Sequence, residues 1–353
     1  MKYKPDWAEA RERFTAWWAG SSIDRVALHV TADIPNNSPP PPVPTDPRAM
    51  WIDAEYRVSV AEHRMRSMYY GGEAFPYFDP NIGPGSLALY IGSSPRFAPD
   101  TVWYEPIADN VRSLPELRFD PANEWWQATV RLVEEGMRRG EGRYLTSFPD
   151  FVENLDIAAS LVGSQQILYD LADDPDAVIR LISRLNELYF THYDRLYSVL
   201  DGDRYGSCFS AFSIWGAGRV AKVQCDACAM ISPGMFEYIV APALREQVRH
   251  LDYSVYHLDG PDAIKHLDAL LRIPELNAIQ WTPGWSAPGV GSEQWWPMYR
   301  KVRDSGKGLL LLGTEYGEVE PLARNLGRDG VLIGTHAPSV EAADELLSSA
   351  HRW

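Results

Sequence analysis

Residues 221–281 read AKVQCDACAMISPGMFEYIVAPALREQVRHLDYSVYHLDGPDAIKHLDALLRIPELNAIQW, and the change of period along them decides the fold. Ala221–Cys225, Ser254–His257 and Ala278–Trp281 are short apolar runs, brief enough to be buried strands. Pro233–His250 and Ala263–Leu271, between them, carry apolar residues at helical spacing. Strands that alternate with helices in this way build a parallel sheet covered by helices.

The same unit recurs outward from this stretch. Strands are predicted at Val26–Thr31, Tyr144–Phe148, Gly206–Phe212, Gly308–Leu312 and Val331–Thr335, and helices at Ala177–Leu200, Ser292–Asp304, Val319–Asn325 and Val340–Ser349. Eight strands with intervening helices predict closure into a TIM (β/α)8 barrel. The first 140 residues are less regular. Helices are expected at Trp7–Trp18, Arg48–Tyr70 and Glu124–Arg139 and a hairpin in RFAPDTVWYEPI (96–107), while the prolines of SPPPPVPTDP (38–47) force a loop. Too little chain precedes that loop to fold alone, so residues 1–353 are read as one barrel domain with an irregular N-terminal extension.

Hydrophobic residues make up 45% of the chain and charged residues 23%, the balance of a globular protein with a large core. Lys and Arg number 33 against 48 Asp and Glu, and the net charge of -15 repels nucleic acid and anionic membrane surfaces. No apolar run is long enough to span a bilayer. The charged start MKYKPDWAEARERF lacks the apolar stretch of a signal peptide, and three cysteines (Cys208, Cys225, Cys228) are too few for a disulfide framework, so a cytoplasmic location is expected. The chain has no GxGxxG, GxxxxGK[ST] or GxSxG motif, which sets nucleotide-dependent and serine-hydrolase chemistry aside.

In a barrel of this kind the site lies where strands end, so polar residues just after apolar runs are the candidates. They are Asp150, Glu153 and Asp156 after Tyr144–Phe148, Cys225 and Asp226, His257 and Asp259, Trp281, Glu315, and His336. His257 and Asp259 are two apart on a strand and turn to the same side, which suits either a metal site or a histidine oriented by a carboxylate. Cys225, Glu315 and His336 on neighbouring strands are candidate further ligands. Asp156, Asp226 and His336 are candidate acid-base groups, and Trp215, Trp281 and Trp285 are expected to hold a flat ligand at the mouth. Asp150 and Glu153 also fit the carboxylate pair of a glycosidase.

The run QCDACAMISPGMFEYIVAPALREQ, followed by YHLDGPDAIKHLDALLRIPELNAIQW, resembles the uroporphyrinogen decarboxylase superfamily, including its methylcobalamin:coenzyme M methyltransferase branch. SFPDFVENLDIAASLVGSQQILYDLADDPDAVIRLISRL and GLLLLGTEYGEVEPLARNLGRDGVLIGTHAPSVEAADELL resemble its earlier and its C-terminal segments, so the likeness covers about residues 140 to 350. The decarboxylases grip a polycarboxylate with an Arg- and Gly-containing N-terminal motif, and nothing like it stands near Arg11, Arg13 or Arg25. The methyltransferase branch implies zinc held by a His-x-Cys and a distant Cys, with a corrinoid as methyl donor. Here the first motif is His257-Leu258-Asp259 and the late strand has Thr335-His336-Ala337, so the histidine matches and both cysteines are replaced. The resemblance therefore implies a methyltransferase with a harder metal site, for zinc or another divalent ion, built from His257, Asp259, Glu315 and Cys225. A small-molecule substrate and a corrinoid or corrinoid protein are its expected partners. Decarboxylation or lyase chemistry on a small organic acid, and a noncatalytic ligand-binding barrel, are the alternatives.

Overall fold

Thirteen strands and the helices between them are described by the computed structural model, which covers residues 1–353. The strands are β1 (Ala27–Asp33), β2 (Met68–Gly72), β3 (Tyr77–Phe78), β4 (Ser94–Phe97), β5 (Val102–Glu105), β6 (Leu145–Thr146) and β7 (Ser207–Phe209). They continue with β8 (Ile214–Gly216), β9 (Val220–Gln224), β10 (Tyr253–Asp259), β11 (Ala278–Thr282), β12 (Gly308–Leu311) and β13 (Val331–His336). Seven of them form one sheet in the order β2-β1-β13-β12-β11-β10-β9. All its neighbours are parallel except β2, which runs antiparallel to β1. Beyond β9 the sheet continues in fragments. Ser207 Oγ of β7 accepts the Val220 N–H at 2.8 Å, Phe148 makes a parallel bridge to Phe209, and β6 pairs in parallel with β3.

Alternation along the parallel strands sorts their side chains into two cores. Ala27, Val220, Val255, Ala278, Leu310 and Leu332 point to an inner core, which the first helix (Trp7–Trp18) closes with Phe14 and Trp17. Val223, Tyr256, Leu258, Ile279, Leu309, Leu311, Val331 and Ile333 point outward, against the covering helices. This parity selects which strand-end residues meet. No helix is long and apolar enough to cross a membrane.

The expected helix over Arg48–Tyr70 is corrected to two helices, Pro47–Ile52 and Ala54–Met65, followed by β2. Asp53 divides them: its extended backbone ends the first helix, and its side chain caps the second by accepting the Tyr56 N–H at 3.0 Å. The aromatic pair Tyr69-Tyr70 then favours the pleated edge beside β1, and Gly72 permits the close approach, since a Cβ there would collide with the Leu28 carbonyl oxygen. The expected strand over Gly206–Phe212 stops at Phe209, because a 3-10 turn and Ser213, in the left-handed region at φ 50°, reverse the chain into β8. The hairpin at 96–107 forms, as β4 and β5.

Where β1 starts, a side chain stands in for ladder bonds. Glu73 is fully buried between β2 and β3; it accepts the Leu28 N–H at 2.5 Å and both ends of the Arg25 guanidinium at 2.9 and 3.0 Å. Removing one member of a buried pair leaves the other charge uncompensated and costs about 3–5 kcal/mol. Glu73→Ala is expected to lower the unfolding free energy by about that amount in urea titration. A loss below about 1 kcal/mol, the value of an ordinary surface pair, would contradict this role.

Candidate metal centre

The site grows from residues of one parity on three adjacent strands. Lys222 and Gln224 on β9, His257 and Asp259 on β10, and Gln280 and Thr282 on β11 all share the inner face, with His257 in register with both Gln224 and Gln280. Asp226 stands two residues past β9, at the start of a short 3-10 turn. The ligand-capable atoms of Asp226, His257 and Asp259 all lie within 4.8 Å of one another, and His257 Nε2 is 4.0 Å from Asp259 Oδ2.

Hydrogen bonding fixes the form of the histidine. Gln280 donates its amide N–H groups to the Trp281 carbonyl at 2.7 Å and to Thr282 Oγ1 at 2.9 Å, so its Oε1 must accept. It accepts from His257 Nδ1 at 2.5 Å. The proton therefore sits on Nδ1 and the Nε2 lone pair faces the carboxylates, the arrangement a metal-binding imidazole adopts. Burial, against the pull of the Gln280 hydrogen bond, holds the His257 pKa below the ordinary value and keeps the ring neutral at pH 7.

A buried cation anchors the acids around this triad. Lys222 Nζ lies 2.7 and 2.9 Å from the two Asp150 oxygens and also donates to Gln224 Oε1. Burial is the largest influence and opposes the ammonium, but Asp150 and the other acids around it together outweigh it, so the Lys222 pKa lies above the usual value. With its oxygen held by Lys222, Gln224 turns its amide nitrogen to Asp156 and Asp226, each at 3.0 Å. Asp156 also accepts the backbone N–H groups of Asp226 at 2.8 Å and Ala227 at 3.0 Å. Its oxygens are thereby committed to shaping the turn that presents Asp226. Loss of hydration on the protein side, then the charge of Asp156, raise the Asp226 carboxyl to about 7, while its other side stays open to solvent.

The segment that delivers Asp150, Glu153 and Asp156 is strained. Val152 and Asn154 adopt φ of 54° and 41°, a left-handed conformation that a β-branched residue strongly disfavours. Asn154 is held there by donating to the Gln224 carbonyl at 2.9 Å, and Glu153 between them accepts the Gln224 N–H. Glu153 is 1% exposed, its second oxygen has no partner, and burial raises its pKa to about 8.

The remaining candidates from the sequence fall elsewhere. Cys225 has the opposite parity to Gln224; its buried thiol lies beside Cys228 and Tyr256, under the helix layer. Glu315 is exposed after β12, at the residue before a 3-10 turn and outside the triad. His336 is half-exposed at the end of β13, with Nδ1 3.0 Å from Thr31 Oγ1 and Nε2 3.7 Å from Asp33. Trp281 points outward, fully buried edge-on against Trp295 at 4.9 Å. Trp215 packs with Trp7 and Phe14 where the strands begin, at the opposite end from the triad. Trp285, 99% exposed in the loop after β11, is the tryptophan of the three that stands at the triad's end. Lys222, Gln224 and Gln280 went unread, although a polar residue alternating with apolar ones inside AKVQC and AIQW is the signal of an inward position. Asp79, just after β3, was also passed over; burial raises its carboxyl, which accepts the Asn81 N–H at 3.0 Å.

No protein-family model matches the sequence, and no curated protein matches it. A solved structure of a methyltransferase from Methanosarcina mazei is similar in fold, with a TM-score of 0.62 over 97% of this chain and 98% of that one, at 11% sequence identity.

Glu153 gives the site a pH signature. A glutamate in the unfolded chain titrates near 4.3, whereas the buried carboxyl titrates at about 8, so the folded state holds the proton more tightly. Its contribution to stability is complete below about pH 4 and is lost as pH rises toward 8, at up to about 1.4 kcal/mol per unit. Glu153→Gln, neutral throughout, is expected to match the parent near pH 4 and to exceed it progressively in urea midpoint up to pH 8. A constant offset across that range would show that Glu153 is not held protonated.

Proposed function

We propose that the chain is a methyl-transferring enzyme of the uroporphyrinogen decarboxylase-like superfamily, with a divalent metal held by Asp226, His257 and Asp259. The observation that carries this reading is the convergence of those three side chains within 4.8 Å on the ends of adjacent parallel strands. The likeness in fold to a methyltransferase supports it. The run of parallel strands, with β7, β6 and β3 continuing it, supports a closed (β/α)8 barrel as the complete architecture, and the packing of the first helix into the inner core supports a single domain.

The donor set suits the ion. One neutral imidazole with its other nitrogen tied down and two carboxylates make a borderline-to-hard site, for zinc, manganese or iron, and no thiolate takes part because Cys225 faces away. A bound cation there would supply Lewis acidity, lowering the pKa of a substrate thiol or hydroxyl so that it can accept a methyl group. Gln280 fixes the tautomer and angle of His257. Lys222, through Gln224, holds Asp226 and Asp156 in place. A corrinoid, free or on a protein, is the proposed donor, and the exposed Met230 and Trp285 on the turns after β9 and β11 offer it apolar contact.

A second reading rests on the Asp226 carboxyl. At about 7 it is poised to give or take a proton at neutral pH, which favours decarboxylase or lyase chemistry on a small organic acid. Uroporphyrinogen itself fits poorly, since no cluster of guanidinium forks faces the triad to grip several carboxylates.

Metal content and methyl transfer decide between the two. The parent protein is expected to retain close to one equivalent of zinc or manganese after dialysis and to demethylate methylcobalamin with a thiol acceptor, followed by cobalamin absorbance. His257→Ala should abolish both. Gln280→Leu should weaken metal binding about 10–100-fold, the usual effect of losing a partner that orients a ligand. Unchanged metal content in His257→Ala would remove the metal site. Carbon dioxide release from a small organic acid, lost in Asp226→Asn and independent of metal, would establish the second reading.

A further inference from the structure

We infer that the chain carries a second ligand site, for a planar aromatic acid, at the end of the sheet where the strands begin. A cleft of about 610 Å3 lies there, within the size range of small-molecule pockets. It is bounded by the first helix, by the loop entering β6 and by the turn entering β7. The metal-centre residues sit on the opposite ends of the strands, so this cleft is separate from them.

Its walls pair flat rings with free cations. Trp7 and Trp215 meet edge to face at 5.5 Å and 79°, and Tyr205 lies on the same lining. The Arg11 guanidinium stands over the Trp215 ring at 5.8 Å, and that of Arg204 over Tyr205 at 4.8 Å. Arg11 has no ion-pair partner, and Arg204 has only Asp201, at 4.0 Å. A guanidinium stacked on a ring keeps its in-plane N–H groups free, so it can grip a carboxylate or sulfonate while the indole beside it takes the flat apolar body. Arg138, also on the lining, is held through two hydrogen bonds by Glu135 at 2.6 and 2.7 Å, so the cations left for a ligand are Arg11 and Arg204, in a chain whose net charge is -15. Two guanidiniums with free in-plane N–H groups beside flat rings select an aromatic anion over a cation.

The test uses the full-length protein and three probes of one shape: 2-naphthoate, its neutral alcohol 2-naphthalenemethanol, and the cation 2-naphthylmethylammonium. Binding is followed by calorimetry and tryptophan quenching. The acid is expected to saturate one site at least about tenfold more tightly than the alcohol, with the cation weakest, since a charged hydrogen-bond pair contributes that much discrimination. Arg11→Gln with Arg204→Gln should remove that preference while leaving the alcohol's affinity within about twofold; both side chains are exposed, so thermal unfolding should be unchanged. His257→Ala and Trp285→Ala, at the other end, should bind the acid like the parent. Equal affinity for acid and alcohol, no saturation by about 5 mM, or loss of binding in Trp285→Ala would each overturn the assignment.

Discussion

An ammonium group taken out of water holds together the end of the molecule where Asp226, His257 and Asp259 converge. Lys222 is buried on β9 and compensated by Asp150, and it fixes Gln224 by the oxygen, which leaves the Gln224 amide to bridge Asp156 and Asp226. Four strand-end acids are thereby packed into a small volume without mutual expulsion. An uncompensated charge in such a place costs several kcal/mol, so the acids and the lysine are mutually dependent. The strained backbone at Val152 and Asn154 lies on the path that brings Asp150 to Lys222 and Glu153 and Asp156 to Gln224.

Much of the architecture was legible because strand and helix periods differ. The runs around Val255, Ile279, Leu310 and Leu332 are too short and too apolar to be anything but strands in an alternating sequence. Tyr70 was not legible, because Arg48–Met65 has helical spacing and nothing local marks the change to β2 except two aromatic residues and two glycines. For the site, position after a strand was a sound guide but an incomplete one. It found His257, Asp259 and Asp226, yet it equally named Cys225 and Trp281, whose odd offset along the strand turns them outward. Strand parity, counted from Gln224 or Gln280, separates the two groups. Glu315 and His336 lie apart from the triad for another reason: the ends of β12 and β13 stand away from β9 and β10 in the sheet order, a distance no local pattern encodes.

The candidate metal centre contains no thiolate. Softer metal sites place cysteines where side chains converge, whereas here the convergent atoms are an imidazole nitrogen and carboxylate oxygens, with all three cysteines buried and unpaired. The imidazole is prepared by Gln280, which is itself pinned by Thr282 and the chain carbonyl beside it. A neutral amide in that position orients the ring without adding negative charge to an acidic cluster.

The ladder between β1 and β13 sets a timetable for the chain. Thr31 and His336, partners in that ladder, are 305 residues apart in sequence. At about 5–20 residues per second, a ribosome takes roughly 15 to 60 s to make the second after the first. Through that interval β1 has β2 on one side and an unpaired edge on the other, and the inner core lacks Leu310 and Leu332. Nascent chains of this fold thus present an open strand edge for much of their synthesis, the interval in which mispairing with another chain is least hindered.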